Sequence, residues 1–289
     1  MTGRHRIVVS LENTAFHAWQ AKLFHFSCVT RLNHHAIFIV HENGSAWQPD
    51  FSDLVRAGAI VRRAPSYFTG VAATRNFAGS LIQAAPLCAP DEFIVLCDPD
   101  MIFVGKTEFR QEFSGNYYSY MDYEQPPVHA AARRLGIQLE LLRAQQKQVR
   151  CGVPYVIPAD RARRLGEEWL TAFDAFRTKG RDFNDVWLDV MYAFGLAVIR
   201  LGWTPALSDS VNMDHPAGIL LDREIIHYCH GEPAWDKRWY LSPEDVPKVW
   251  DPPFQPAEGT VLYELFSQLR QARNFYRNPY FENGNGRSK

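Results

Sequence analysis

The sequence lacks several features that would narrow its class at once. Its 289 residues carry no excess of one charge, since 31 basic residues oppose 32 acidic ones. This balance disfavours nucleic acid or an anionic surface as a partner. Neither a G-x-G-x-x-G string nor a P-loop occurs, which argues against dinucleotide oxidoreductases and kinases. The five cysteines form no C-x-x-C pair, which argues against a zinc knuckle or a redox motif: Cys28, Cys88, Cys97, Cys151 and Cys229.

Long hydrophobic runs are also missing. The longest apolar stretches are far shorter than a membrane span requires. The amino-terminal residues 1–6 lead directly into a strand-like segment, so no signal peptide is expected. The odd, widely spaced cysteines are typical of buried thiols in a reducing compartment. We therefore expect a soluble, cytoplasmic protein.

Short β-branched runs alternate with amphipathic stretches over the first hundred residues. Continuous apolar runs separated by helices indicate a parallel sheet that is covered on both faces, and right-handed crossovers make it Rossmann-like. Strands are predicted over 7–11, 36–40, 59–61 and 93–97, and helices over 15–30, 51–57 and 71–85, with Pro86 ending the last helix.

The second half is richer in long helices. We predict strands over 117–121 and 224–229, an edge strand over 153–158, an ordered loop over 243–256, and helices over 128–148, 160–178, 184–201 and 260–274. The whole chain is predicted to be one α/β domain with a mixed, mainly parallel sheet. Its nucleotide-sugar-binding half would cover about 1–125 and its helical acceptor half about 126–280, and the polar tail 283–289 is expected to fray.

An acidic turn follows the fourth predicted strand. Asp98-Pro99-Asp100 is the only D-x-D string in the chain, and ligands of open α/β sheets bind outside the carboxyl ends of strands. Two carboxylates across a tight turn can converge on Mn²⁺ or Mg²⁺, which would bridge a diphosphate. About one such string is expected by chance at this aspartate content, and a turn with a capping aspartate is the commoner meaning. The two flanking apolar runs favour the metal site, because a carboxylate pair between buried strands needs a positive partner.

A late histidine lies inside an apolar strand. His227 could complete the metal site begun by Asp98 and Asp100, although a lone buried histidine is more often a core residue. His230 is the rival ligand. Gly231 would allow close approach of a phosphate, and Lys237 would bind the diphosphate.

These segments resemble glycosyltransferases of the GT-A type. Residues 93–103 are similar to their strand and acidic turn, and His227, Gly231 and Lys237 to a late His–Gly–Lys motif. The hydroxyproline O-arabinosyltransferase and peptidyl-serine galactosyltransferase group is the nearest likeness, through Trp19-Gln20, Trp187 with Met191-Tyr192-Ala193, Ile225 to Tyr228, and Asp236 to Tyr240. The resemblance implies a GT-A fold, a UDP-sugar donor carrying a pentofuranose or galactose, Mn²⁺, and retention of configuration. The acidic residue that precedes Met-Tyr-Ala in that group is Val190 here, with Asp189 one step earlier.

Further positions are candidates for donor or acceptor contacts. Arg75 and Asn76 open a predicted helix and could meet the nucleotide, or else simply begin the helix. Ser10 ends the first strand and would flank the nucleoside by analogy of fold alone. Asp185 and Asp189 are four residues apart on one helix and could act at the acceptor or stabilise an oxocarbenium-like transition state. For Asp185, charge complementing the helix dipole is the simpler interpretation.

The sequence therefore predicts a metal-dependent glycosyltransferase with a hydroxyl acceptor. The resemblance implies hydroxyproline or serine of a peptide as the acceptor, and the alternatives are a glycan, a small molecule or a modified DNA base. A non-catalytic nucleotide-sugar or protein binding module is the rival of another class. A nucleotidyltransferase is disfavoured because Leu11-Glu12-Asn13-Thr14 is neither glycine-rich nor basic, and a phosphohydrolase because clustered histidines are few.

Overall fold

A computed structural model describes residues 5–67, 73–176, 183–212, 218–229 and 235–277. The predicted tail 283–289 lies outside these residues. Within them, no helix combines the length and the apolar character that crossing a membrane demands. The side chains of residues 183–187 at the start of one helix are also outside the description.

The structure is α/β and Rossmann-like, as predicted. Its main sheet has seven strands in the order β3-β2-β1-β4-β7-β6-β8 and is mostly parallel. A second sheet has three strands in the order β5-β10-β9. The strands are β1 (His5–Glu12), β2 (Ile37–His41), β3 (Ile60–Ala64), β4 (Phe93–Cys97), β5 (Met101–Phe103), β6 (Ser114–Tyr117), β7 (Cys151–Pro158), β8 (Ala206–Ser208), β9 (Val211–Asn212) and β10 (Ile225–His227).

Helices connect most of these strands. The α-helices are α1 (Ala15–Ser27), α2 (Asp50–Arg56), α3 (Asn76–Ala84), α4 (Pro126–Arg134), α5 (Leu139–Gln145), α6 (Ala159–Asp174), α7 (Phe183–Leu201) and α8 (Val261–Tyr276). A π-helical turn at Cys28–Leu32 extends α1, and short 3₁₀ turns lie at Ala73–Arg75, Ala85–Leu87, Lys237–Tyr240 and Val246–Trp250. The 3₁₀ turn at Ala85–Leu87 contains Pro86, so α3 ends where the proline predicts.

The chain forms two compact units, each made of three segments. Unit 1 comprises Met1–Ser10, Ala64–Cys97 and Phe109–Asp209, and unit 2 comprises Leu11–Arg63, Asp98–Glu108 and Ser210–Lys289. In unit 1, the rings of Tyr155 and Phe194 stack at 4.0 Å between centroids, with Trp169 edge-on to Phe194. In unit 2, an apolar core joins α1, β5, β10 and α8.

Three predicted elements of the second half differ from the structure, and the first two concern where elements end. A strand was expected over 117–121, but β6 covers Ser114–Tyr117, and a turn follows Tyr118. The single helix expected over 128–148 is two helices, α4 and α5. Gly136 separates them with a φ of +72°, a left-handed conformation that ends a helix and that glycine adopts without strain.

The edge strand expected over 153–158 is an interior strand. β7 pairs antiparallel with β4 on one side and with β6 on the other. The prediction was wrong because it took Pro154 to interrupt a ladder. The register with β6 shifts between Gly115 and Asn116, whose partners are Tyr155 and Gly152, so Pro154 falls in the irregular step. A proline at such a bulge deprives no partner of a ladder hydrogen bond.

A buried histidine lies at the heart of unit 2. His25 on α1 is fully buried, and its two ring nitrogens lie 2.6 Å from the Tyr276 hydroxyl and 3.2 Å from Nδ1 of His35. Burial, with a smaller contribution from the charge of His35, lowers the pKa of His25 to about 4. The native state therefore holds the ring neutral at a pH at which the unfolded chain would be protonated.

This pKa predicts acid sensitivity of the fold. The contribution of His25 to the free energy of unfolding is complete above its unfolded pKa of about 6.5 and is lost as the pH falls through about 4. The loss across that window is on the order of 3 kcal/mol. Urea unfolding at pH 7 and pH 4.5 should show a smaller pH effect for His25→Gln than for the wild type. Equal pH effects in the two proteins would contradict the assignment.

Candidate metal centre

The candidate centre is built where β5 meets β10. Asp98, Pro99 and Asp100 form the turn between β4 and β5, as the sequence predicts. β10 runs antiparallel to β5 with His227 opposite Met101, and the amide of Tyr228 donates to the carbonyl of Asp100 at 3.0 Å. This register brings His227 beside the acidic turn, although 127 residues separate it from Asp100.

Three side chains converge at this point. Nε2 of His227 lies 3.1 Å from Oδ1 of Asp100 and 3.4 Å from Oδ2 of Asp98. One ligand atom from each of the three residues lies within 4.8 Å of the others, an arrangement found in no other group of the described residues. Asp100 and His227 have side chains that are each 9% exposed, and that of Asp98 is 23% exposed. The triad is therefore buried, with Asp98 its most accessible member.

Lys237 supplies a positive charge to the same turn. Its ammonium group contacts Oδ2 of Asp100, the oxygen that His227 leaves free. Lys237 opens the 3₁₀ turn Lys237–Tyr240, whose N-cap is Asp236. The Asp236 carboxylate accepts the amide of Arg238 at 2.8 Å and binds the Arg238 guanidinium. This cap fixes the start of the turn, and with it the base of the Lys237 side chain.

The two carboxylates have opposite pKa shifts. Burial and the charge of Asp100 together raise the pKa of Asp98 to about 7, because they outweigh the opposing effects of His227 and Lys237. Burial alone would also raise the pKa of Asp100. Lys237 and His227 outweigh it through charge and hydrogen bonds, and they hold that pKa well below its usual range. Asp100 therefore carries the fixed negative charge of the cluster.

The two cations respond to that charge. Burial by itself would lower the pKa of His227 and of Lys237. The charge of Asp100 and its hydrogen bonds exceed this effect and raise both pKa values above their ordinary values. Nδ1 of His227 is buried and has no hydrogen-bond partner among the described residues. The ring therefore has one nitrogen directed at the carboxylates and one that makes no compensating bond.

Aromatic packing supports the strand that carries His227. The ring of Trp19 on α1 stacks on Tyr228 with 6.2 Å between centroids, and Tyr228 packs edge-on against Trp235. All three rings are fully buried in the core of unit 2. Trp19 is thus a core residue, and the three buried rings hold β10 in position against α1.

His17 is a neighbour of the centre that the sequence analysis did not select. Removal from water is the main reason why the pKa of His17 is lowered to about 4. The charge of Asp100 opposes this shift, and the charge of Lys237 adds to it. Its Nδ1 lies 2.8 Å from the hydroxyl of Thr14, the N-cap of α1. Only its place in the first turn of a predicted helix, three residues after a capping threonine, marked it in the sequence.

The remaining predicted site residues fall elsewhere or outside the description. Ser10, Arg75, Asn76 and Asp189 belong to unit 1, whereas the triad and Lys237 belong to unit 2. The hydroxyl of Ser80 donates to Ser10 at 2.9 Å, Arg75 forms two hydrogen bonds with Asp174, and Asn76 accepts the amide of Tyr67. Asp189 is buried on α7. Gly231, the rival ligand His230 and the side chain of Asp185 lie outside the described residues.

Comparison with known proteins yields no family for this chain. A scan against models of protein families finds no match, and a search of the curated proteins finds none either.

The donor set suits a divalent cation. Two carboxylates offer hard oxygen ligands, and an imidazole is compatible with Mn²⁺ as well. The ammonium of Lys237 already occupies one side of Asp100, which shows that the turn attracts positive charge. Asp98, Asp100 and His227 are thus the residues that would hold a metal ion.

Removal of a ligand should therefore abolish tight metal binding. Asp100→Asn and His227→Gln should each lower the affinity for Mn²⁺ by more than the roughly 10- to 100-fold lost when a residue that only orients a ligand is changed. Isothermal titration calorimetry measures the affinity directly. Asp251→Asn is the matched control, because this carboxylate of the same unit is 79% exposed and pairs with Arg273. Unchanged Mn²⁺ affinity in both triad variants would refute the assignment.

Proposed function

We propose that the chain is a metal-dependent glycosyltransferase that moves a sugar from a UDP-sugar to a hydroxyl acceptor. A pentofuranose or galactose is the favoured sugar, and hydroxyproline or serine of a peptide is the favoured acceptor. This assignment joins the GT-A-like segments of the sequence to the buried triad. We further propose that Mn²⁺ or Mg²⁺ is the cofactor and that configuration at the anomeric carbon is retained.

The observation that carries the proposal is the joint position of the triad and Lys237. The D-x-D string alone is expected about once by chance in such a chain. Its convergence with a histidine and a lysine from the far end of the sequence is not explained by turn formation, since a turn needs neither. A divalent ion with a neighbouring lysine is an arrangement suited to a diphosphate leaving group.

The roles of the residues follow from their chemistry. A bound divalent ion would neutralise charge on the departing diphosphate. Asp98, Asp100 and His227 would hold that ion, and Lys237 would donate a hydrogen bond to a phosphate oxygen. The bond from the anomeric carbon to the phosphate oxygen breaks, and the bond to the acceptor oxygen forms. The acceptor proton passes to a phosphate oxygen of UDP, so no separate general base is required.

Acceptor-side residues are proposed from unit 1. Asp189 is a buried carboxylate on α7, three residues before Tyr192. We propose that it orients the acceptor or stabilises positive charge on the sugar ring, with Asp185 as the second candidate. Ser10, Arg75, Asn76 and Gly231 remain proposed contacts of the donor.

Thermal unfolding with UDP and a panel of UDP-sugars tests the proposal. At a roughly 100-fold excess over Kd, a ligand of the native state should raise Tm by about 5 °C. We expect that rise only when Mn²⁺ is present with the nucleotide, because the triad would hold the ion and the ion would neutralise the charge of the diphosphate. The rise should disappear in Asp100→Asn and persist in the exposed control Asp251→Asn.

Transfer itself is measured by UDP release with peptide, glycan and small-molecule acceptors. Release that depends on both Mn²⁺ and an acceptor would support the transferase. A thermal shift without transfer to any acceptor would favour a nucleotide-sugar binding module instead. No shift with any uridine nucleotide would overturn the UDP-donor assignment.

A further inference from the structure

An exposed loop of unit 2 is held by several hydrogen bonds from a buried side chain. Residues 42–48 leave β2 and lead towards α2, and 42–46 are all exposed. Residues 42–46 bury little apolar area, and ordering their backbone costs conformational entropy. Surface loops of this kind are normally free to move, so a device that holds one in place requires an explanation.

That device is the side chain of Asn13. It is 2% exposed, and its amide nitrogen donates to the carbonyls of Ser45 and Ala46 at 3.2 and 3.1 Å. Its carbonyl oxygen accepts the amide of Gln48 at 3.0 Å. One buried side chain therefore holds the backbone of the loop at three points.

The main chain of Asn13 strengthens this connection. Its amide donates to the carbonyl of His41 at 3.0 Å, and its carbonyl accepts the side chain of Asn43 at 3.2 Å. The Asn43 carboxamide oxygen in turn accepts the amide of Ser45 at 3.1 Å. The end of β1, the end of β2 and the loop are thus one hydrogen-bonded assembly.

The loop is also supported on the side of Trp47. The guanidinium of Arg63 lies 4.1 Å from the centre of the Trp47 indole, and the Phe51 ring packs 5.1 Å from it. Gly44 adopts a φ of +84°, and a Cβ built there would meet nothing within 4 Å. The loop is therefore fixed at both ends and open at its tip.

The place and charge of the loop indicate what it would contact. It lies at the carboxyl ends of β1 and β2. Ligands of open α/β sheets bind outside such strand ends, at the point where the strand order reverses, which here is between β1 and β4. Its sequence Glu42 to Gln48 contains no cation, so it is unsuited to a diphosphate. Its only charged side chain is that of Glu42, and its other polar groups are uncharged amides, a hydroxyl and main-chain groups, which match a neutral base and ribose hydroxyls.

We propose that residues 42–48 form the binding wall for the nucleoside of the donor, and that Asn13 is the positioning residue that keeps this wall in its binding conformation. The inference rests on the proposed function, and it assigns the nucleoside to a segment separate from the triad. Asn13 acts through the loop, because its own polar groups are all used in holding it. Because the loop is already ordered, binding does not cost the entropy of ordering it, and the affinity for the nucleoside is higher.

Two ligands separate the nucleoside from the diphosphate in a test. The affinities of the whole chain for UDP and for inorganic pyrophosphate, both with Mn²⁺, are measured by calorimetry. Asn13→Ala should lower the affinity for UDP by about tenfold, as expected when hydrogen bonds that order a site are lost. The affinity for pyrophosphate should stay unchanged. Hydrogen exchange of the amides of 43–48 should become faster in the same variant.

Two further variants keep the result independent of stability. Gly44→Ala strains only the exposed tip, because its φ is positive and no atom lies near, and it should reproduce the selective loss. Ser27→Ala removes a buried hydrogen bond to Phe24 at the other end of α1, and it should affect neither ligand.

The outcomes are distinct. Selective weakening of UDP in Asn13→Ala and Gly44→Ala supports the proposal. An equal loss of affinity for UDP and for pyrophosphate would show that Asn13 merely supports the unit. An unchanged affinity for UDP despite faster hydrogen exchange would show that the loop does not contact the nucleoside. Either result overturns the inference while the proposed function stands. A wild-type protein that binds pyrophosphate with Mn²⁺ but no uridine nucleotide would remove the UDP-donor assignment and this inference together.

Discussion

The buried carboxylate of Asp100 is the constraint around which unit 2 is arranged. A charge taken out of water is stable only when it is paired and hydrogen-bonded, and leaving one such charge unpaired costs about 3–5 kcal/mol. His227 and Lys237 meet that demand from the third segment of the unit, one on each carboxylate oxygen. The pairing therefore couples β5, β10 and the turn at Lys237–Tyr240 into one structure.

The same pairing leaves Asp98 with less compensation. His227 lies nearer to Asp100 than to Asp98, and the contact of Lys237 is with Asp100. An ordinary structural ion pair would need one carboxylate, and a second one beside it adds repulsion. The cost of keeping Asp98 in this place is understandable if a divalent cation binds both carboxylates. A capped turn offers no comparable reason for the pair.

The sequence predicted much of the fold because local patterns determine it. The β-branched runs of β1, β2 and β4 and the periodicity of α1 are visible without knowledge of partners. Pairing is not local: β7 is interior because β4 and β6 flank it, and its prolines alone suggested an edge. The split between α4 and α5 depends on one glycine with positive φ, a signal that the helical composition of 128–148 concealed. The three-residue strands β8 and β10 are too short for periodicity to delimit.

The candidate centre shows the same division between what is local and what is not. Asp98 and Asp100 were selected from their place after a strand, and His227 from its place within one, so the candidate ligands followed from sequence pattern and resemblance. Their distances depend on the register of β5 against β10, which Trp19 supports from α1 by stacking on Tyr228 next to β10. Asn13 left no comparable signal, since a polar residue after a strand is common and its three hydrogen bonds reach residues more than thirty positions away. A candidate metal centre can thus be proposed from a motif, whereas the loop that would select the nucleoside is visible only once the chain is folded.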